Sequence, residues 1–142
     1  MRNELFFIDS NIFVYAKIND KKYGKCSQDL IKMIYERKIS AIIDSIILLE
    51  VANALRKLGI KDIEDEILAI LSLPIKVVDI RKEDIIEAVE NLSLSPYDSL
   101  HYVISKRLDA KIISADKDFD IVGRIDPCYF HFLIFSKVNC RL

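Results

Sequence analysis

Acidic side chains are the groups in this sequence best placed to do chemistry. Asp9 closes the apolar run Leu5-Phe6-Phe7-Ile8, Asp116 follows Lys111-Ile112-Ile113-Ser114-Ala115, and Asp98 ends the run Ser95-Pro96-Tyr97-Asp98. Glu50 sits inside the apolar stretch Ile46-Ile47-Leu48-Leu49-Glu50-Val51-Ala52, where no Lys or Arg stands at helical spacing. An ionised carboxylate on an apolar helix face is costly unless something pairs with it. A metal ion, or a site shared with other acids, resolves that conflict. Oxygen ligands without Cys or His suit Mg²⁺ or Mn²⁺ rather than zinc.

Most of these acids also have a purely structural reading. Asp9 with Ser10 and Asn11, Asp44, Asp79 and Asp116 can each cap a helix that follows a strand. Asp98 can be the acidic member of a capping box with Ser95. Glu50 has no capping role open to it, though its side chain can snorkel to solvent.

Composition removes other chemistries. Gly24, Gly59 and Gly123 are the only glycines, too far apart for a dinucleotide-binding or P-loop turn, each of which brings backbone against phosphate. Lys and Arg number 21 against 22 Asp and Glu, so no overall positive field draws in nucleic acid. Binding of nucleic acid therefore needs a local patch or a metal. Local basic clusters stand at Lys21, Lys22 and Lys25, at Arg56 and Lys57, and at Lys106, Arg107 and Lys111. The Arg56-Lys57 pair, about two helical turns after Glu50, is the best placed to meet phosphate. Cys26, Cys128 and Cys140 form no C-x-x-C and are odd in number, which argues against a zinc site or disulfide framework and for a reducing compartment. The longest uncharged run, Pro127 to Ser136, is too short to span a membrane. A cytoplasmic protein with no membrane partner is expected.

The elements that must position the acids alternate along one domain, residues 1–142. Apolar strands are expected at Leu5–Ile8, Ile39–Ile43, Ile75–Asp79 and Lys111–Ala115, with a fifth at Tyr129–Phe135. Helices are expected over about Tyr23–Lys38, Ile46–Leu58, Ile63–Leu71, Lys82–Leu92 and from Ser95 to Leu108. Buried strands alternating with amphipathic helices predict an α/β fold, a three-layer α/β/α domain with a mainly parallel sheet of about five strands. Ligands of such sheets bind beyond the carboxyl ends of the strands, where the strand order reverses. If the first and fourth strands are neighbours, Asp9 and Asp116 lie about 5 Å apart in strand spacing and can share one cation. Asp98 starts near the same edge.

Four blocks of the chain, in order over about residues 5–120, resemble the PIN domain and in particular the VapC-type toxin ribonucleases of toxin–antitoxin pairs. They are Phe6-Phe7-Ile8-Asp9-Ser10-Asn11, Leu48-Leu49-Glu50-Val51, Leu94-Ser95-Pro96-Tyr97-Asp98-Ser99-Leu100-His101 and Ser114-Ala115-Asp116-Lys117-Asp118-Phe119.

The resemblance implies a sheet of order 3-2-1-4-5 and hydrolysis of RNA with Mg²⁺ or Mn²⁺. It implies Asp9, Glu50, Asp98 and Asp116 as metal ligands, Asp118 as an outer ligand or a cap, and Asn11 and Ser114 as groups that orient the acids. His101, one turn after Asp98, is either a structural or surface histidine or a candidate RNA contact beside Arg56 and Lys57. Asp44 stands where the family more often has Ser or Thr; it caps its helix or adds charge to the site. A small antitoxin and a second copy of the chain are the implied protein partners. The tail, residues 124–142, is expected to supply the last strand or an interface. The competing reading is a non-catalytic PIN-like module that binds RNA or protein and keeps the acids as caps. A complete acid quartet favours the enzyme, since a binding module has no use for a buried Glu50.

Overall fold

The computed structural model describes residues 4–130. Strands β1 (Leu5–Ile8), β2 (Ser40–Asp44), β3 (Ile75–Val78) and β4 (Ala110–Ile113) form a parallel sheet of order β3-β2-β1-β4. All four are short and rich in Ile, Val and Phe, as strands covered on both faces require. β1, in the middle, pairs Phe6 with Ala41 on one side and with Lys111 on the other.

Six helices connect the strands: α1 (Ser10–Ile18), α2 (Gly24–Tyr35), α3 (Ser45–Lys57), α4 (Ile63–Ser72), α5 (Lys82–Glu90) and α6 (Pro96–Arg107). Right-handed crossovers put α1–α4 on one face of the sheet and α5–α6 on the other. The contacts follow that division: α1 packs on α2 and α3, α3 on α4, and α5 on α6. The core runs through the sheet, with Phe7, Ile8, Ile12, Ile34, Ile43, Ile47, Ile104, Ile113 and Phe119 fully buried. The turn from α1 to α2 is close enough that a Cβ on Gly24 would lie 2.7 Å from the Asn19 carbonyl carbon. Only glycine fits there.

Two expectations change. The described residues contain four strands, not five. Ile125 makes one parallel bridge to Ile113, after which Tyr129 and Phe130 are helical, and the rest of the expected fifth strand lies outside the described residues. Phe130 is nonetheless buried, its ring edge-on to Phe6 with centroids 5.0 Å apart.

The cysteines change as well. Cys26 of α2 and Cys128 form a disulfide across 102 residues of sequence, with Cα atoms 5.0 Å apart. Counting cysteines argued against such a bond and for a reducing compartment, and neither inference holds, because an odd total and wide spacing carry no sign of which pair the fold brings together. The bond ties the segment after β4 to α2, and a loop this long is where a crosslink most restricts the unfolded chain. Peptide mapping of protein alkylated without reductant is expected to find Cys26 and Cys128 unlabelled and joined. Cys26→Ser is expected to lower the free energy of unfolding by about 2–4 kcal/mol, read from denaturant melts.

Candidate active site

The carboxyl ends of β1, β2 and β4 all open toward one cleft of about 1030 Å³. Asp9, Glu50, Asp98 and Asp116 line it together, along with Asn11, Tyr15, Asn53 and Lys117. Each acid arrives there for a local reason. Asp9 is the N-cap of α1, its Oδ1 accepting from the Ser10 N–H at 2.8 Å. Asp116 caps the 3₁₀ segment Lys117–Val122 by accepting from the Asp118 N–H at 2.9 Å. Asp98 lies in the first turn of α6, its N–H donating to Ser95 Oγ at 3.2 Å. Glu50 projects from the second turn of α3. Capping and cleft-lining are thus compatible: a short strand that turns into a helix at the sheet edge puts the cap residue in the cleft.

The ends of β1 and β4 are laced together by side chains. Ser114 Oγ donates to Asp9 Oδ2 at 2.6 Å, and Asn11 Nδ2 donates to the same oxygen at 3.1 Å. Asn11 Oδ1 accepts from the Ala115 N–H, and Ser114 Oγ from the Asp116 N–H. Arg124, nearly buried between Asp120 and Asp126, donates from Nη1 to the Ser114 carbonyl at 2.9 Å and so pins the end of β4.

A second network lies beside it. His101 of α6 is fully buried, with Nδ1 2.7 Å from Asp44 Oδ2 and Nε2 2.7 Å from Glu50 Oε1. Both acceptors are carboxylate oxygens, so both ring nitrogens carry protons and the ring is an imidazolium. Burial alone lowers its pKa, but the bonds to Asp44 and Glu50 outweigh burial and push it up to about 10. Asp44, also fully buried, uses its other oxygen to cap α3 through the Ile47 N–H at 3.1 Å. Glu50 therefore already has a cationic partner, which spacing within α3 could not reveal.

His101 corrects an expectation: at 0% exposure it cannot touch RNA. Arg56 and Lys57, in the last turn of α3, are exposed but do not line the cleft. Other basic residues are committed elsewhere, Lys106 to Glu87, Arg107 to Asp84, Lys111 to Glu4 and Lys25 to Asp29. The cation at the cleft is Lys117, which clustering of basic residues in the sequence does not single out.

Apart from His101, the acids of the cleft have no basic side chain paired to them among the described residues. Among the described residues no Lys or Arg forms an ion pair with Asp9, Glu50, Asp98, Asp116 or Asp118. Burial and the neighbouring charge of Asp9 push the Asp98 carboxyl up to about 6. Burial also raises Asp9, against the opposing bond from Ser114. Ligand atoms of Asp98, Asp116 and Asp118 fall within 4.8 Å of one another, as do those of Asp9, Glu50 and His101. His101 has both nitrogens engaged, so the atoms open to a cation are carboxylate oxygens. Such a set fits a hard divalent ion.

A family model described as the PIN domain matches residues 6–125. The chain belongs to the PIN domain family. No curated protein sequence matches it. Among solved structures, VapC20 of Mycobacterium tuberculosis, described as a Sarcin-Ricin loop cleaving toxin, superposes with a TM-score of 0.71 at 16% identity, covering 84% of this chain and 96% of that one. PAE2754 of Pyrobaculum aerophilum gives 0.66 at 17% identity, covering 95% and 96%. VapBC2 of Rickettsia felis, solved bound to a DNA fragment from its promoter, gives 0.63 at 16% identity, covering 84% and 93%. The sheet order β3-β2-β1-β4 is that expected of a PIN domain. At these identities the likeness shows the fold, and the chemistry rests on the acids of this chain.

Asp98 and His101, with Asp9 raised in the same direction as Asp98, set a pH dependence of stability. An acid whose folded pKa is raised favours folding when protonated, so the Asp98 contribution declines as pH rises from about 4 to about 6. A histidine with a raised folded pKa stabilises below its unfolded value near 6.5, and that contribution is lost as pH rises toward about 10. Without divalent ions the melting temperature is expected to fall from about pH 5 to about pH 9.5. In Asp98→Asn the fall below about pH 6 is expected to become shallower, with Asp9 still contributing, while the fall above about pH 7 stays.

Proposed function

We propose that this PIN domain is a divalent-metal-dependent endoribonuclease that hydrolyses RNA phosphodiester bonds and acts as the toxin of a toxin–antitoxin pair. The observation that carries the reading is the meeting of Asp9, Glu50, Asp98 and Asp116 in one cleft with no lysine or arginine paired to them. These acids, with Asp118 at the rim, would hold Mg²⁺ or Mn²⁺. When bound, such an ion lowers the pKa of a coordinated water and stabilises charge on the phosphate. The chain's part is to fix the carboxylates: Ser114 and Asn11 orient Asp9, and the Asp116 N–H is held by Ser114 Oγ. Lys117, exposed at the cleft, is suited to a neighbouring phosphate of the strand.

The toxin role draws on the neighbours, one described as a cleaving toxin and another as a toxin–antitoxin complex from Klebsiella pneumoniae. A small antitoxin, a second copy of the chain and a cytoplasmic setting belong to the same proposal. No helix among the described residues is long and apolar enough to cross a membrane.

The test is cleavage of single-stranded RNA with Mg²⁺, Mn²⁺ or EDTA. Cutting is expected to stop in EDTA. Folded Asp9→Asn and Glu50→Gln proteins are expected to lose about a hundredfold or more, equivalent to about 3 kcal/mol of transition-state stabilisation. Equal cutting by wild type and variants would sink the site. No cutting by any of them, with no metal-induced rise in melting temperature, would favour the non-catalytic module.

A further inference from the structure

We propose that His101 is a positioning residue for Glu50: clamped by Asp44, it holds one oxygen of the Glu50 carboxylate and leaves the other for the cleft. The inference rests on reading Glu50 as a metal ligand.

The contacts form a closed path. Asp44 ends β2 and caps α3, the helix that carries Glu50. Its remaining oxygen takes the Nδ1–H of His101, and the Nε2–H on the far side of the ring takes Glu50 Oε1, both at 2.7 Å. The Phe7 ring lies 5.4 Å from the imidazole, tilted by 35°, and closes one side of it. The ring has little room to turn, and its direction is set by backbone that Glu50 shares.

Glu50 needs such a hold. A glutamate side chain has three rotatable bonds, whereas Asp9 is short and tied by Ser10, Asn11 and Ser114. Groups that hydrogen-bond to metal-ligating carboxylates orient them for the ion. His101 is excluded from the alternative roles of RNA contact, by its burial, and metal ligand, by its two engaged nitrogens.

Positioning and charge make opposite predictions. An imidazolium repels a nearby cation, so neutralising it would by charge alone tighten metal binding. Losing the hold on Glu50 would weaken it. Two neutral replacements separate the bonds: the amide of asparagine reaches the place of Nδ1, and that of glutamine the place of Nε2. His101→Asn keeps the Asp44 contact and gives up Glu50, while His101→Gln keeps Glu50.

The experiment is Mn²⁺ binding to the RNA-free proteins, followed by electron paramagnetic resonance of the free ion, on variants shown to be folded. His101→Asn is expected to weaken Mn²⁺ binding about tenfold, and His101→Gln about threefold or less. Equal constants in the two variants, or tighter binding in His101→Asn, would overturn the proposal. Glu50→Gln in the same assay separates it from the reading beneath it. If Glu50→Gln binds Mn²⁺ like wild type, the ligand role of Glu50 fails and the positioning role falls with it. If Glu50→Gln loses Mn²⁺ while the two His101 variants agree, positioning alone fails. Should His101→Asn not fold, a crystal of the wild type soaked in Mn²⁺ decides: Glu50 is expected to stay bonded to His101 Nε2 with its other oxygen on the ion. A Glu50 turned away from His101 would overturn the idea.

Discussion

Like charges gathered at one edge of a sheet repel, and most of this molecule's local structure makes that gathering tolerable. Asp9 is almost wholly buried, and Asp98 is held high by burial and by the charge of Asp9. The cost is offset piecemeal. Asp9, Asp44 and Asp116 each stand at the N-terminal end of a helical segment, where free backbone N–H groups and the helix dipole favour negative charge. Ser114 and Asn11 supply further donors, and His101 supplies a buried positive charge. What is left over faces the cleft.

That arrangement constrains the scaffold. β1 and β4 must stay in register for Ser114 to reach Asp9, and the Asp9 N–H bonded to the Ile113 carbonyl continues the ladder up to the acid itself. Arg124 holds the turn beyond β4, and the positive φ of Gly123 lets the chain leave the 3₁₀ segment toward it. α6 must lie at a fixed height to bring both Asp98 and His101 to the edge. Its far end is anchored where Arg107 donates two hydrogen bonds to buried Asp84 of α5. A clamp of this kind, between planar guanidinium and carboxylate, fixes direction as well as distance.

What could be read from the sequence follows from how local each signal is. The strands are short apolar runs with an acid at or just past the end, and both features lie within a few residues, so β1, β2, β4 and their acids were legible. α1 was missed because Ser10–Ile18 has little polar face to mark a period, packed against both α2 and α3. For a related reason the sequence left His101 open between a structural role and an RNA contact. α6 buries Leu100, His101, Val103, Ile104 and Ser105, more than one stripe, so spacing from Asp98 did not tell which way the ring points. Its partners lie 57 and 51 residues away, and the Cys26–Cys128 pair 102. Pairings at that range leave no pattern in a single chain. The oddity of Glu50, by contrast, was visible, and the two answers it admitted were a metal or a site shared with other acids; neither named the buried histidine that the structure places on it. His101 occupies one oxygen of Glu50, and the carboxylate still lines the cleft.

The acids of the cleft therefore divide into two kinds. Asp9 and Glu50 are held by the protein, the first by three donors and the second by an imidazolium, and their positions depend on core packing. Asp98, Asp116 and Asp118 stand at helix starts nearer solvent, with ligand atoms close together and Asp98 carrying the raised pKa. A cation entering the cleft meets one rigid pair already organised and one repelling group that gains most from its arrival. On the proposed function the rigid pair would set where an ion sits, since moving it would disturb β1, β4 and α3 together. The repelling group supplies the driving force, since neutralising crowded carboxylates relieves a cost already present in the folded chain. On that reading geometry and affinity would come from different residues of the same site, so changes to His101 and to Asp98 would act on metal binding through different physics.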